Sequence, residues 1–203
     1  DMYDILIKNG TVVDGTGSEV FKKNIGIKDD KMYFVEGEEE AKKVIDAKGR
    51  LVTPGFIDTH SHSSMLVIED PYLAPKLFQG ITTELVAQDG MGPAPVNKET
   101  IKPWKKAMAG LEGEYDYEWD WTSVNDYLER VDKLELGPNI AYLAPHGNIR
   151  MVSMGLENRK PTAEEQEKMN AELFVTLPGL AAQQESINIS DNMRWSYRKR
   201  MES

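Results

Sequence analysis

Cysteine is absent from the 203-residue chain, and histidine is scarce, with three residues. The absence of cysteine excludes disulfides, thiolate-ligated metals and cysteine nucleophiles. Basic residues are also in deficit, since 24 lysines and arginines face 34 aspartates and glutamates, which gives a formal charge of -10. A net anion is repelled by phosphate, so we expect neither nucleic acid nor a membrane as a partner. Small molecules and other proteins are the expected partner classes.

Long hydrophobic runs are missing as well. No stretch approaches the roughly 18 consecutive apolar residues of a transmembrane helix, and the N-terminus lacks the basic start and apolar core of a signal peptide. The sequence therefore predicts a cytoplasmic protein. An aspartate ahead of the first methionine suggests that residue 1 is not a native initiation site.

The first 54 residues alternate short β-branched and aromatic segments with turns that contain glycine, asparagine or aspartate. These features predict a small antiparallel β unit over residues 1–54. The predicted strands cover residues 3–8, 11–13, 24–28, 31–35, 43–46 and 51–53.

From residue 55 onward, apolar strands are separated by segments of helical length. Alternation of strand and helix is typical of parallel βα units, so residues 55–170 are expected to form an α/β domain. Capping-type signals open two of the predicted helices, at Ser123 and at Thr162. The predicted strands cover residues 56–60, 81–87 and 139–144, and the predicted helices cover residues 72–79, 123–133 and 162–178.

Residues 112–120 alternate acidic residues with glycine or aromatic residues. An extended chain would carry all five carboxylates of this segment on one side. The pattern favours a solvated loop or edge strand whose aromatic side chains rest on the body of the protein. The alternative is an entrance loop that contacts a ligand.

Two of the three histidines form a His-Ser-His motif, His60 and His62, directly after an apolar segment. In an extended chain both imidazoles project from one face and can converge on one ion. Asp58 shares that face and could hydrogen-bond a ligand or its neighbours. Imidazole nitrogen favours zinc and similar divalent ions. The alternative is a pair of satisfied polar side chains at a strand end.

The next two predicted strands also end in side chains that can bind a metal, Asp89 before Gly90 and His146 before Gly147. Parallel α/β folds place their sites at the carboxyl ends of the strands, so the joint occurrence favours one shared site. The alternatives are an Asx-type turn at Asp89, and a turn residue or a buried imidazole at His146.

Residues 52–62 read Val-Thr-Pro-Gly-Phe-Ile-Asp-Thr-His-Ser-His, and residues 80–83 read Gly-Ile-Thr-Thr. Together with residues 3–16, residues 88–95 and His-Gly-Asn-Ile-Arg at residues 146–150, this pattern resembles the amino-terminal part of the amidohydrolase superfamily. Within it, the N-acyl-D-amino-acid deacylase (D-aminoacylase) group is the most similar. The resemblance covers roughly residues 3 to 170.

This resemblance implies a (β/α)8 barrel of the TIM type with a small N-terminal β-sandwich, of which the chain would contain a part. It implies hydrolysis of N-acyl-D-amino acids to a D-amino acid and a carboxylate, with one or two Zn2+ ions. His60 and His62 match the metal ligands of the first barrel strand. Asp89 falls where many D-aminoacylases carry a metal-bridging cysteine, which a carboxylate could replace. His146 and Arg150 match a region that lines the site, so we expect them to contact substrate or to polarise an oxyanion.

Residues 171–203 depart from the family pattern, because its fourth strand, its later histidines and its general-base aspartate have no counterpart there. We therefore expect a truncated chain with an atypical tail. Two alternatives stay open. One is a cyclic amide hydrolase of the dihydroorotase or hydantoinase kind, and the other is an inactive, incomplete barrel whose open edges could mediate self-association.

Overall fold

The computed structural model describes residues 2–37 and 39–174. The described residues form two compact units, one up to Pro54 and one that starts at Gly55. Most of the predicted tail, residues 175–203, and the predicted helix end at Pro178 lie outside the described residues. Within the described part of the chain, no helix has the length and apolar character needed to cross a bilayer.

The first unit consists of two small sheets. The strand order is β5-β4-β1-β6 in one sheet and β3-β2-β7 in the other. Its buried hydrophobic residues include Leu6, Val12 and Ile25. The strands are β1 (Tyr3–Lys8), β2 (Thr11–Val12), β3 (Phe21–Lys22), β4 (Asn24–Lys28), β5 (Lys31–Val35), β6 (Ala41–Asp46) and β7 (Leu51–Val52).

The prediction of an antiparallel β unit is wrong in part. Strand β1 pairs antiparallel with β4 but parallel with β6, and β2 pairs parallel with β7. Strand β6 adds to the free edge of β1 rather than to its sequence neighbour β5. Alternating hydrophobicity is the same for both directions of pairing, so the sequence pattern does not distinguish these two arrangements.

The second unit is built on a three-stranded parallel sheet in the order β10-β9-β8. Because all three strands run in one direction, their carboxyl ends meet at one edge. Gly55 allows β8 to approach β9, since a Cβ on this residue would clash with the side chain of Thr82. The strands are β8 (Phe56–Asp58), β9 (Ile81–Val86) and β10 (Asn139–Tyr142), all shorter than predicted.

Helices connect and flank these strands. The predicted capping box of α4 is confirmed, because Ser123 and Asp126 exchange hydrogen bonds between side chain and backbone. The helix predicted at residues 72–79 is only one turn long in the structure. The helix at Ile101–Glu112, α3, was not predicted. The helices are α1 (Leu66–Glu69), α2 (Ala74–Leu77), α3 (Ile101–Glu112), α4 (Val124–Asp132), α5 (His146–Met154) and α6, which runs from residue 163 to 174, where the described part ends.

Buried aromatic side chains hold the loops at the carboxyl edge of the sheet. Tyr127 on α4 donates a hydrogen bond to the carbonyl of Ser64 at 2.6 Å, and Trp121 donates to the carbonyl of Pro93 at 2.9 Å. Burial raises the pKa of Tyr127 well above its ordinary value, so its hydroxyl stays a neutral donor. The apolar core of the second unit therefore packs directly against the loops at the carboxyl edge of the sheet.

Candidate metal centre

His60 and His62 lie in the bend that follows β8, at the carboxyl edge of the parallel sheet. The backbone N–H of Ser61 between them donates to the carbonyl of Leu85 on β9 at 3.1 Å, which keeps the bend attached to the sheet. The two imidazole centroids are 5.2 Å apart. The side chain of His60 is 59% exposed and that of His62 is 22% exposed. A solvent-accessible pair of imidazoles therefore faces one region of space.

Asp89 lies in a short 3-10 turn that follows β9. The turn is backbone-strained, because Ala87 and Asp89 have positive φ angles of 63° and 58°. Such conformations cost roughly 1 to 3 kcal/mol each in residues other than glycine, although aspartate tolerates them better than most. The Gln88 side-chain amide holds the turn by donating to the carbonyl of Thr59 at 2.8 Å. The strained turn thus holds the Asp89 carboxylate beside the histidine bend.

The carboxylate of Asp89 meets both imidazoles. Its Oδ2 atom lies 3.4 Å from His60 Nε2 and 3.2 Å from His62 Nε2. Ligand atoms of all three residues fall within 4.8 Å of one another. In the described part of the chain, no lysine or arginine forms an ion pair with Asp89. Two nitrogens and one oxygen are a donor set that suits zinc and similar first-row divalent ions.

A charged network lies next to the histidine bend. Lys76 Nζ, on α2, donates to Asp58 Oδ2 at 2.6 Å and to Glu84 Oε1 at 2.7 Å. Glu84 has no exposed side-chain surface, and it also accepts hydrogen bonds from the hydroxyls of Ser61 and Ser63. Burial opposes the charge of Lys76, but the hydrogen bonds to the two carboxylates outweigh it and raise the lysine pKa. The bend is therefore tied to α2 and β9 by satisfied ionic contacts.

Asp58 contacts the backbone of a histidine rather than an imidazole. Its Oδ1 atom accepts a hydrogen bond from the N–H of His60 at 3.1 Å. The hydrogen bond from Lys76, opposed by partial burial, lowers the pKa of the Asp58 carboxyl. This contact is of the kind expected from the sequence, a hydrogen bond between Asp58 and a neighbouring residue. That Asp58 supports a metal ligand stays a prediction.

The acidic segment 113–120 is a loop, as predicted, and its carboxylates are exposed while its aromatic side chains rest on the body. Trp119 stacks on Trp121 with ring centroids 5.3 Å apart, and Tyr117 donates to the carbonyl of Met65 at 2.7 Å. Glu112 departs from the prediction. It ends α3, is buried, and its Oε1 atom lies 3.5 Å from His62 Nδ1.

His146 starts α5 and is exposed, beside the turn that carries Asp89. A Cβ on Gly147 would lie 2.6 Å from the carbonyl oxygen of Gly90, so the two loops approach closely. The imidazole of His146 is not among the converging ligand atoms. Arg150 donates to the backbone carbonyls of residues 157 and 159. The predicted substrate contacts of both side chains stay predictions.

Sequence reasoning missed the buried polar residues of this region. Glu112 follows Trp104 and Met108 at intervals of four on the buried face of α3, and that spacing is a signal that it faces inward. Glu84 is the one charged residue of strand β9, whose other residues are β-branched or apolar, and this is a weaker signal. Asn148 is fully buried and bonds both the N–H and the carbonyl of Gly92, with no distinctive pattern in the sequence.

Residues 43–175 match the family described as Amidohydrolase family. The chain therefore belongs to the amidohydrolase family. Among curated relatives, it is similar to an N-acyl-D-glutamate deacylase of Alcaligenes xylosoxydans xylosoxydans, with 32% identity over 173 residues. That match covers 83% of this chain and 34% of the relative, so the chain spans about a third of the relative's length.

Solved structures give the same assignment. The fold is similar to that of N-acyl-D-glutamate deacylase from Bordetella bronchiseptica in complex with zinc and a phosphonate inhibitor, with a TM-score of 0.78 and 33% identity. This match covers 88% of the chain and 37% of that structure. A D-aminoacylase with a binuclear metal centre matches with a TM-score of 0.74 and 27% identity, over 87% of this chain and 37% of its own. The mixed α/β fold is thus similar to the corresponding part of D-aminoacylase amidohydrolase structures.

Proposed function

We propose that this chain carries the first metal-binding part of a zinc-dependent hydrolase that cleaves the linear amide bond of N-acyl-D-amino acids. The convergence of His60, His62 and Asp89 at the carboxyl edge of a parallel sheet carries the proposal. Membership in the amidohydrolase family and similarity to N-acyl-D-glutamate deacylases support it. The expected substrates are small N-acyl amino acids.

The proposal extends to the architecture. Residues 55–170 would form the first βα units of a (β/α)8 barrel, and residues 1–54 would be part of a small β-sandwich. The parallel order of β8, β9 and β10, with helices between them, supports the barrel. The two small sheets of the first unit support the sandwich. Residues 171–203 would be an atypical tail.

The residues present fit a divalent metal. His60 and His62 would each offer Nε2, and Asp89 would offer a carboxylate oxygen. The charge of Asp89 is not neutralised by a lysine or arginine in the part of the chain that the structure describes, so it is available to a cation. When bound, zinc supplies polarisation of a scissile carbonyl and a lowered pKa for water.

The protein's own groups would position the reactants. The network of Lys76, Asp58 and Glu84 fixes the bend that presents the two histidines. His146, at the exposed first turn of α5 beside the Asp89 turn, would contact a substrate. Arg150 would have to leave the carbonyls that it now contacts before it could bind a substrate carboxylate.

The test is hydrolysis by the zinc-loaded chain, completed beyond residue 170 by the carboxyl-terminal part of an N-acyl-D-glutamate deacylase, because residues 171–203 offer neither the later histidines nor a general-base aspartate of the family pattern. N-Acetyl-D-glutamate, its L-enantiomer and dihydroorotate are each incubated with the chain, and the released product is quantified by chromatography. We expect zinc-dependent release of D-glutamate, no release from the L-enantiomer, and at least a 100-fold loss in His60→Ala.

Two outcomes would contradict the proposal. Cleavage of dihydroorotate without cleavage of the linear amide would indicate a cyclic amide hydrolase. A chain that holds zinc yet hydrolyses none of these amides would indicate the non-enzymatic alternative, an incomplete barrel.

A further inference from the structure

Glu112 is a buried carboxylate that ends α3 next to the candidate metal centre. Its side chain has no exposed surface. Its Oε2 atom accepts hydrogen bonds from the hydroxyl of Ser64 at 2.7 Å and from the N–H of Met65 at 3.3 Å. In the described part of the chain, no lysine or arginine forms an ion pair with it. Burying a carboxylate costs free energy unless both of its oxygens have hydrogen-bond partners. The surroundings of the second oxygen, Oε1, therefore show which group could be its partner.

The second oxygen of Glu112 faces an imidazole nitrogen that also lacks a partner. Oε1 lies 3.5 Å from His62 Nδ1, and both atoms are buried without a hydrogen bond among the described residues. The opposite nitrogen of the ring, Nε2, lies 3.2 Å from Asp89 Oδ2. A rotation of the ring that shortens the first distance by about 0.5 Å would give a charge-assisted hydrogen bond of ordinary length.

We propose that Glu112 is a positioning residue that holds the proton of His62 on Nδ1, which leaves the Nε2 lone pair free for a metal ion bound between His62 and Asp89. The metal-binding part of this inference rests on the proposed function, whereas the part that concerns the His62 tautomer depends only on the contact between Glu112 and His62. Histidine ligands commonly donate their free N–H to a carboxylate, which fixes the ring orientation and makes the other nitrogen a better ligand. Glu112 is fully buried beside Nδ1, whereas Asp89, beside Nε2, is 55% exposed, so solvent screens the field of Glu112 at the ring less than that of Asp89.

Glu84 provides the matched comparison within the same unit. Both glutamates have fully buried side chains close to the histidine bend. The two oxygens of Glu84 are bound by Lys76, Ser61 and Ser63, so Glu84 has its hydrogen-bond partners without a contact to a histidine. Replacing either glutamate with glutamine removes one buried charge, but only Glu112→Gln changes the group that faces His62.

The experiment measures the tautomer of His62 by long-range 1H–15N NMR in the metal-free full chain, at a pH where the ring is neutral. With three histidines in the sequence, assignment needs only His60→Ala and His146→Ala spectra. We expect His62 to be protonated mainly on Nδ1. In Glu112→Gln the amide NH2 can donate to Nδ1, so we expect protonation mainly on Nε2. In Glu84→Gln we expect the wild-type tautomer.

A second readout is the zinc dissociation constant, measured by competition with a chromogenic chelator. We expect Glu112→Gln to weaken zinc binding roughly 10- to 100-fold, with a smaller effect of Glu84→Gln. Wild-type His62 protonated on Nε2 would overturn the inference, and this result needs no variant to fold. An unchanged zinc dissociation constant in Glu112→Gln would also overturn it, because a residue that orients a zinc ligand must affect the affinity for zinc. A wild-type chain that shows the Nδ1 tautomer but binds no zinc would contradict the proposed function and leave the Glu112–His62 contact supported.

Discussion

At the scale of the residue, Lys76 is the cation that lets two carboxylates lie beside the histidine bend. It contacts Asp58 and the fully buried Glu84. Replacing Lys76 by methionine would leave Glu84 as a buried charge without a cation, so we expect the free energy of unfolding to fall by about 3 kcal/mol. Urea denaturation measures this change.

The matched control for that substitution is Lys106→Met, at an exposed position on α3. We expect this variant to change the free energy of unfolding by less than about 0.5 kcal/mol. A Lys76→Met protein as stable as wild type would show that the two serine hydroxyls suffice to satisfy Glu84.

Single residues also show which parts of the candidate site can be predicted from the sequence. His60, His62 and Asp89 could be identified because each follows an apolar strand segment, and parallel strands bring such ends together. Glu112 lies 50 positions from His62 in the sequence, and their contact depends on how α3 packs. No local pattern specifies which distant side chain fills a buried space, so that residue was missed.

At the scale of the element, the capping box of α4 is the clearest local signal that the structure confirms. The Ser123 hydroxyl accepts a hydrogen bond from the Asp126 N–H at 3.1 Å. Since the buried face of this helix contributes Tyr127 and Leu128 to the core, loss of the cap should affect global stability. We expect Ser123→Ala to lower the free energy of unfolding by about 1 kcal/mol, measured by chemical denaturation.

Ser123→Asp is the control for this cap, because aspartate can also accept the Asp126 N–H. We expect it to retain more of the stability than alanine does. Equal stability of the alanine variant and wild type would mean that packing alone determines where α4 begins.

We expect the stability of the start of α6 to depend on pH through the carboxyl of Glu165. Glu165 accepts hydrogen bonds from the Arg159 guanidinium at 2.6 and 2.7 Å and from the Thr162 N–H at 2.8 Å. These contacts, the guanidinium first, lower the pKa of the Glu165 carboxyl to about 2. Because the folded-state pKa is depressed, the ionised group stabilises the helix start above the unfolded value of about 4.3 and loses this effect as the pH falls through about 2.

Carbon-13 NMR of the Glu165 carboxyl tests this prediction. We expect a titration midpoint near 2 in wild type and a midpoint closer to the ordinary value in Arg159→Gln. A wild-type midpoint at the ordinary glutamate value would show that the Arg159 contact does not persist in solution.

Elements were predicted where local chemistry is decisive. The cap of α4 and the strand segments have signals within a few residues, and the structure confirms them. Helix α3 was missed because Pro103 and Gly110 interrupt its pattern, although its buried face is regular. The directions of β6 and β7 depend on pairing between segments far apart in the sequence, and alternation does not report them.

At the scale of the whole molecule, fold and site depend on one property, the common direction of β8, β9 and β10. That direction gathers the histidine bend, the Asp89 turn and the start of α5 at one edge of the sheet. The strand-helix alternation predicted it from sequence, because short connections through helices favour parallel pairing.

Zinc titration of the full chain by isothermal calorimetry tests the central claim most directly. We expect wild type to bind zinc, and His60→Ala and Asp89→Asn each to weaken binding by at least about tenfold, since each removes a ligand atom. His146→Ala should leave zinc affinity unchanged, because its ring is outside the converging cluster. Zinc binding that survives both His60→Ala and Asp89→Asn, or that is lost in His146→Ala, would contradict a metal centre formed by His60, His62 and Asp89.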